Sequence, residues 1–311
     1  MSGAEMSKAE MSKAGMSDVQ TAREEELVAR VLAAFDGTPD PRTRDVVLGL
    51  VRHLHAFLRE VRPTEAEWMR GIEFLTAVGQ KSDERRQEFI LLSDILGASM
   101  QTITVNYPAA GNATESTVLG PFFDEGAPEI PLGGDIANGG TGRPLWVEGS
   151  VRDTSGAPVP GARLDVWEAD GDGLYDMQYG DDRLSTRGWL RADEKGGYAF
   201  WAIEPLNYPV PDDGPVGDLL RASGRTPMRA SHLHFLVTAP SYRTLITHIF
   251  VKGDPGLPTD AVFGVRDSLI KDFVEQAAAD PTPDGRDLGG RDWTRVRFDI
   301  VLAADPAGTD G

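Results

Sequence analysis

The apolar pattern of this 311-residue chain changes once, near Tyr107-Pro108, and no other feature constrains its fold as much. Before that point apolar residues recur every three or four positions, the signature of helices with one buried face. From about Arg23 the positions are Leu27, Val28, Val31, Leu32 and Phe35, and Asp36-Gly37-Thr38-Pro39 ends the segment. Residues 43–61 repeat the signal with Val46, Val47, Leu50, Val51, Leu54 and Leu58. Thr64 followed by Glu67 forms a capping box that predicts a third helix. Phe89, Leu92, Leu96 and Met100 predict a fourth between Asp83 and Met100.

After Tyr107-Pro108 glycine, proline, asparagine and threonine punctuate short apolar runs. Leu145–Arg152, Ala162–Trp167, Gly197–Ile203 and His232–Val237 each read as a strand bounded by turn residues. Ser155-Gly156-Ala157-Pro158 turns the chain between the first two. Val262–Ala278 reads as one late helix and Thr294–Leu302 as a final strand. The glycine-rich stretch Gly133–Gly142 leads into no helix and no Lys-Ser/Thr pair, so it is a loop and not a phosphate cradle. The expectation is a mainly β chain with an α-helical N-terminal part, helical over 21–105 and a β-sandwich over 106–311. Residues 1–20 carry a five-residue repeat with too few large apolar groups to bury, which predicts a disordered tail. Met1, Met6, Met11 and Met16 are equally good translation starts within it.

Charge and cysteine usage remove whole classes of function. Thirty-one basic against 49 acidic residues leave a net charge of −18, which argues against nucleic-acid partners and anionic membranes. With no cysteine there are no disulfides, thiolate metal sites or thiol nucleophiles. No apolar run approaches the length of a membrane span, and the N-terminus has no apolar leader core, so a cytoplasmic location is expected.

Five histidines remain as candidates. His53 and His55 lie two apart on a helix, about 200° around it, and so do not face each other. His232 and His234 sit two apart in Ser231-His-Leu-His-Phe-Leu-Val-Thr238, where a strand's period of two puts both imidazoles on one face. Leu233, Phe235 and Val237 take the other face. Two adjacent imidazoles in a strand buried on both sides need something to organise them; a metal ion does so, and hydrogen bonds that satisfy both buried rings are the alternative. His248 with a carboxylate would complete a ferrous site. Tyrosine phenolates, which suit a ferric ion, would complete another kind. Among the six tyrosines, Tyr175 follows Asp170-Gly171-Asp172-Gly173-Leu174 at a strand end, and Tyr208 lies in the stiff loop Leu206-Asn207-Tyr208-Pro209-Val210-Pro211. The aspartate–glycine stretch fails as a calcium loop because Leu174 takes a ligand position.

From about residue 25 to about residue 300 the chain resembles the intradiol ring-cleavage dioxygenases. The likeness is carried by Arg86–Asp94, by Thr114–Phe123, by Asp165-Val166-Trp167 leading to Gly173-Leu174-Tyr175, by Tyr208 in its proline loop, by Arg229-Ala230-Ser231-His232-Leu233-His234, and by Asp260–Ile270. This resemblance implies one Fe(III) per chain held by Tyr175, Tyr208, His232 and His234. It implies that Tyr208 also acts in catalysis as a base, and that Arg229 stabilises negative charge on the substrate. An aromatic diol and O2 would give a cis,cis-muconate. The ring would sit among Leu75, Val78, Val118, Gly120, Pro121, Phe122, Val210, Pro211, His248 and Val262. The family fold implies a β-sandwich catalytic domain, a homodimer paired through the N-terminal helices, and a phospholipid at the dimer interface. The likeness of Thr117–Phe123 and Asp260–Ile270 to family members that cleave benzene-1,2,4-triol implies that substrate over catechol or a chlorocatechol. Two other readings compete. Val147–Gly161 also resembles non-enzymatic transthyretin-like modules, and His232, His234 and His248 could form a ferrous oxygenase site.

Overall fold

The computed structural model describes residues 8–83, 86–108, 110–180 and 183–305. The chain forms two compact units, Met1–Phe74 and Leu75–Gly311. In the first, α1 (Lys8–Ala34) is followed by α2 (Pro41–Val61), and α3 (Glu65–Lys81) runs on through the boundary into the second. Local chemistry accounts for these helix ends. Asp40 caps α2 by accepting the Thr43 N–H at 2.6 Å, with Pro41 at the first helical position. The capping box at α3 is present: Glu67 N–H reaches Thr64 Oγ1 at 3.2 Å and Thr64 N–H reaches Glu67 Oε2 at 2.8 Å.

Two features of the helical region differ from expectation. The backbone is helical from Lys8, inside the stretch expected to be disordered, whose residues 1–7 lie outside the described ones. Alanine, glutamate, lysine and methionine extend a helix cheaply once it is nucleated. The fourth helix is two, α4 (Glu88–Ile95) and α5 (Ala98–Asn106), separated by Gly97 at φ +72°. The two compact units part at Phe74 and Leu75, inside α3, and α4 belongs to the larger one. There Glu88 is fully buried and accepts the Val216 N–H at the start of α6 (Pro215–Ala222).

The larger unit carries two five-stranded sheets. One is built around β1 (Pro144–Asp153), flanked by β4 (Gly197–Ile203), β11 (Trp293–Arg297) and β12 (Ile300–Leu302), with β10 (Val274–Gln276) on β11. The other has the order β3 (Arg187–Arg191), β2 (Arg163–Trp167), β7 (His232–Thr238), β8 (Leu245–Val251), β9 (Ile270–Lys271). A two-stranded ribbon pairs β5 (Tyr208–Pro209) with β6 (Met228–Arg229). Leu145, Val147 and Phe200 from one sheet and Leu164, Leu233, Phe235 and Ile249 from the other form a single buried core. Phe235 lies 6.3 Å from Phe200 and 5.2 Å from Phe298, ring centre to ring centre, across the sandwich. The β-sandwich with N-terminal helices is therefore as expected.

The late helix over Val262–Ala278 does not form. The segment instead gives its backbone hydrogen bonds to the sheets, with Ile270 beside Phe250 and Val274 opposite Arg295. The β-branched Val262, Val265, Ile270 and Val274 suit that role better than a helix interior. The final strand breaks into β11 and β12, which pair with different halves of β1. The pattern also concealed β3, β8 and α6. Among the described residues no single helix is long and apolar enough to cross a membrane.

Candidate metal centre

β7 lies between β2 and β8, so its residues meet neighbours on both sides. Leu233, Phe235 and Val237 enter the sandwich core, which turns His232 and His234 to the opposite face. The register sets His234 beside Trp167 on β2 and His248 on β8. Trp167 stacks on the His234 ring at 4.6 Å between centres and 17° between planes.

Tyr175 arrives from a turn of its own making. Asp170 Oδ1 accepts the N–H groups of Asp172 and Leu174, and its other oxygen accepts the Tyr179 hydroxyl at 2.6 Å. The aspartate–glycine stretch is thus a self-satisfied loop that aims Tyr175 inward. Asp176, the next residue, forms a fully buried ion pair with Arg187, whose Nη1 donates to the Phe122 carbonyl at 3.0 Å. That carries the Phe122 ring onto Tyr175, stacked at 4.2 Å. Tyr208 comes from the β5–β6 ribbon, directly across from Arg229.

Four donor atoms close into a ring. Tyr175 Oη is 2.9 Å from both Tyr208 Oη and His234 Nε2, His234 Nε2 is 3.1 Å from His232 Nε2, and His232 Nε2 is 3.4 Å from Tyr208 Oη. All four side chains are buried. His232 Nδ1 is 2.6 Å from the Ala230 carbonyl, which can only accept, so the His232 proton sits on Nδ1 and Nε2 presents a lone pair. Burial drives all four groups toward their neutral forms. It raises Tyr175, helped by Tyr208, and raises Tyr208, with Arg229 offsetting part of the rise. It lowers His232, with Arg229 adding to the effect, and lowers His234, where His248 and His232 add to it.

Arg229 is buried, and its Nε donates to Asp260 Oδ1 at 2.8 Å. Asp260 also accepts the N–H groups of Ala230 and Gly264, at 3.2 and 2.8 Å. The Arg229 Nη2 atom is buried with no hydrogen-bond partner. A guanidinium held by one edge with a free nitrogen at the other is a fixed positive charge beside Tyr208.

The other candidates divide clearly. Tyr179 serves Asp170, and Tyr198 donates to the Phe298 carbonyl at 2.6 Å, so both are used by the fold. His53 and His55 lie on α2, in the smaller unit. Gly120 approaches the cluster so closely that a Cβ there would stand 3.3 Å from His234 Cε1. Val118, Val210 and Val262 are buried, Pro211 is half-buried and Pro121 is exposed. On α3, Val78 is fully buried and Leu75 is 45% exposed. One candidate remains, His248. It was expected beside the substrate ring, but it is fully buried with Nδ1 2.8 Å from Thr117 Oγ1 and Nε2 2.7 Å from His234 Nδ1. Neither nitrogen is open to a substrate hydroxyl. The three histidines have nitrogens within 4.8 Å of one another. His248 nonetheless approaches His234 from the side of the ring opposite Nε2, which disfavours a three-histidine site. Thr117, Trp167 and Asp260 lie in stretches named from the sequence but were given no role there, and the Asp176–Arg187 pair was not named, since only the strand register and the turns bring these side chains here.

Comparison with known proteins agrees with this geometry. Residues 40–114 match the family described as catechol dioxygenase N terminus, and residues 120–304 match the one described as dioxygenase. A hydroxyquinol 1,2-dioxygenase of Nocardioides simplex is 65% identical over 284 residues, covering 91% of this chain and 97% of that protein. One of Rhodococcus opacus is 61% identical, covering 92% and 96%. The crystal structure of hydroxyquinol 1,2-dioxygenase from Pseudomonas putida DLL-E4 superposes with a TM-score of 0.85 at 44% identity, over 92% of this chain and 100% of that one. Wild-type catechol 1,2-dioxygenase of Acinetobacter radioresistens gives 0.77 at 26% identity, over 93% and 94%.

Proposed function

The chain belongs to the intradiol ring-cleavage dioxygenases, and from that premise we propose that it opens benzene-1,2,4-triol with O2 to 3-hydroxy-cis,cis-muconate, which tautomerises to maleylacetate. The observation that carries the reading is the ring of two phenols and two imidazoles, with donor atoms 2.9–3.4 Å apart. Donors that surround one first-row metal ion at about 2 Å stand about 3 Å from one another. The donor set also fits the ion. Buried phenols raised in pKa ionise only beside a strong positive charge, and a phenolate is a hard donor suited to Fe(III). Tyr175, Tyr208, His232 and His234 would hold one ferric ion per chain. When bound, that ion supplies a Lewis acid that chelates the diol and draws electron density from it.

The protein's own groups divide the remaining work. Tyr208 Oη, opposite Arg229 on a two-residue ribbon, is placed to take a proton from one substrate hydroxyl. Arg229 offers its free Nη2 to negative charge that develops on the substrate. Trp167 and Phe122 stack on His234 and Tyr175 and keep bulk water from the donors. The relatives named hydroxyquinol 1,2-dioxygenase support the triol as substrate. The working form is a homodimer in the cytoplasm. On α2, Val46, Leu50, Leu54, Phe57 and Val61 form one apolar stripe, each 49–65% exposed, and the helix buries no residue within its own chain. A second copy would cover that stripe, and a phospholipid chain could share the same apolar wall. Oxygen uptake with benzene-1,2,4-triol, catechol and 4-chlorocatechol, alongside a visible spectrum and metal analysis, tests the proposal. A red-brown protein with about one iron per chain and the highest kcat/KM on the triol is expected. Faster cleavage of catechol would overturn the substrate assignment, and a colourless, iron-free protein the ferric site.

A further inference from the structure

His248 has no part in the chemistry above, yet it is fully buried and both its ring nitrogens are engaged. It is the cross-strand partner of His234. Thr117, which meets its Nδ1, is equally buried and is pinned by its own N–H to the Ile246 carbonyl at 2.8 Å. The three side chains form a line, Thr117 Oγ1 to His248 Nδ1 at 2.8 Å and His248 Nε2 to His234 Nδ1 at 2.7 Å. Each neutral imidazole has one donor and one acceptor nitrogen, so this line has only two consistent proton orders. In one, Thr117 donates to His248 and His248 donates to His234, which leaves the His234 proton on Nε2, facing Tyr175. In the other, His234 donates from Nδ1 to His248 and His248 donates from Nδ1 to Thr117, which leaves a lone pair on His234 Nε2. Only the second order lets His234 act as a ligand.

We propose that Thr117 and His248 are positioning residues that hold His234 as its Nδ1–H tautomer, with Nε2 aimed at Tyr175. The inference rests on the ferric reading of the site. His232 obtains the same result from the Ala230 carbonyl, a fixed acceptor. His234 has no carbonyl at its Nδ1, and an imidazole anchored by a hydroxyl takes that place. Trp167 closes one face of the His234 ring, so the bond to His248 decides its rotation as well as its tautomer.

Four variants of the full-length iron-loaded protein test this, read by iron content, by the rate of iron loss to a chelator and by the visible charge-transfer band. His248→Gln keeps an acceptor for His234 and a donor for Thr117, whereas His248→Leu removes both. Thr117→Ser keeps the hydroxyl, and Thr117→Val removes it at nearly constant shape. We expect His248→Leu to weaken iron retention by about 10- to 100-fold and shift the band, with Thr117→Val changing both in the same direction. His248→Gln and Thr117→Ser should stay within about threefold of wild type. Wild-type retention and spectrum in His248→Leu would overturn the relay, as would a folded His248→Gln that loses iron as fast as His248→Leu. If His248→Leu does not fold, Thr117→Val against Thr117→Ser decides, and equal iron retention in those two overturns the proposal. A wild type without iron or colour would instead sink the ferric reading on which the relay stands.

Discussion

Gly120→Ala separates two costs that usually arrive together. Gly120 has φ +76°, and a Cβ there would lie 3.3 Å from His234 Cε1. Gly156 has φ +89° with nothing within 4 Å of an added Cβ, so Gly156→Ala meets the backbone cost without the contact. Placing alanine in the left-handed region costs about 1–2 kcal/mol, offset by about 0.4–1 kcal/mol from the stiffer unfolded chain. Both variants should therefore melt a few degrees below wild type, at about 2–4 °C per kcal/mol. The second effect belongs to Gly120 alone. Carbon atoms prefer about 3.5–4.0 Å, so something must give by a few tenths of an ångström. His234 is the stiffer partner, stacked on Trp167 at 4.6 Å, hydrogen-bonded to His248 at 2.7 Å and carried on an interior strand. The segment from Leu119 to Phe122 should move instead, and with it the ring stacked 4.2 Å from Tyr175. We expect Gly120→Ala to keep its iron and colour while kcat/KM for benzene-1,2,4-triol falls by about tenfold. Gly156→Ala should keep wild-type kcat/KM. Differential scanning calorimetry, metal analysis and initial rates on the two variants make the comparison. Wild-type kcat/KM in Gly120→Ala would refute the close-approach argument, and loss of iron would show that His234 yields before the loop does.

Three other outcomes are expected. Leu54→Glu places a charge in the exposed α2 stripe and should shift sedimentation from dimer to monomer; an unchanged dimer would mean that another surface pairs the chains. Tyr208→Phe should retain part of the iron and lose turnover by about 10²- to 10⁴-fold, and near-normal turnover would remove Tyr208 from proton transfer. Glu168 is fully buried, with Oε1 accepting the Ile203 N–H at 2.7 Å, and burial raises its pKa well above 4.5. A raised folded-state pKa means that the protonated form stabilises the fold at low pH and that this contribution is lost as pH rises. Glu168→Gln, which stays neutral and keeps the bond to Ile203, should gain in melting temperature over wild type increasingly as pH rises above about 5; a gain independent of pH would contradict it.

Local rules reached far in this chain because several of its elements stand on nearest-neighbour chemistry. Thr64–Glu67 places a helix start within a few residues, as read, and such a cap forms wherever the chain goes. Gly197–Ile203 is a strand as read, since its turns and its apolar run agree. A strand's period of two was enough to put His232 and His234 on one face and Leu233, Phe235 and Val237 on the other. Tyr175 at a strand end and Tyr208 in its proline loop stood out as candidates from their local sequence, but only the family resemblance assigned both to the metal, because nothing within a few residues of a tyrosine says which buried atom it will meet. Where tertiary pairing competes with local pattern, the pattern gave way. Val262–Ala278 has apolar spacing compatible with a helix, but the free edges of β8 and β11 took its hydrogen bonds. Gly97 cut a continuous apolar run into two helices. His248 was legible as a histidine near the site, but not as the anchor of His234. That role depends on the register between β7 and β8, and sliding one strand by one residue would turn His248 to the other face. Asp260 meets Arg229 across 31 residues of chain for the same kind of reason. The sequence by itself determined the donor chemistry and the strand that carries two of the donors. Only the tertiary structure decided how closely the tyrosines and Arg229 approach them and which side chains hold them still, because those depend on contacts between residues far apart in the chain.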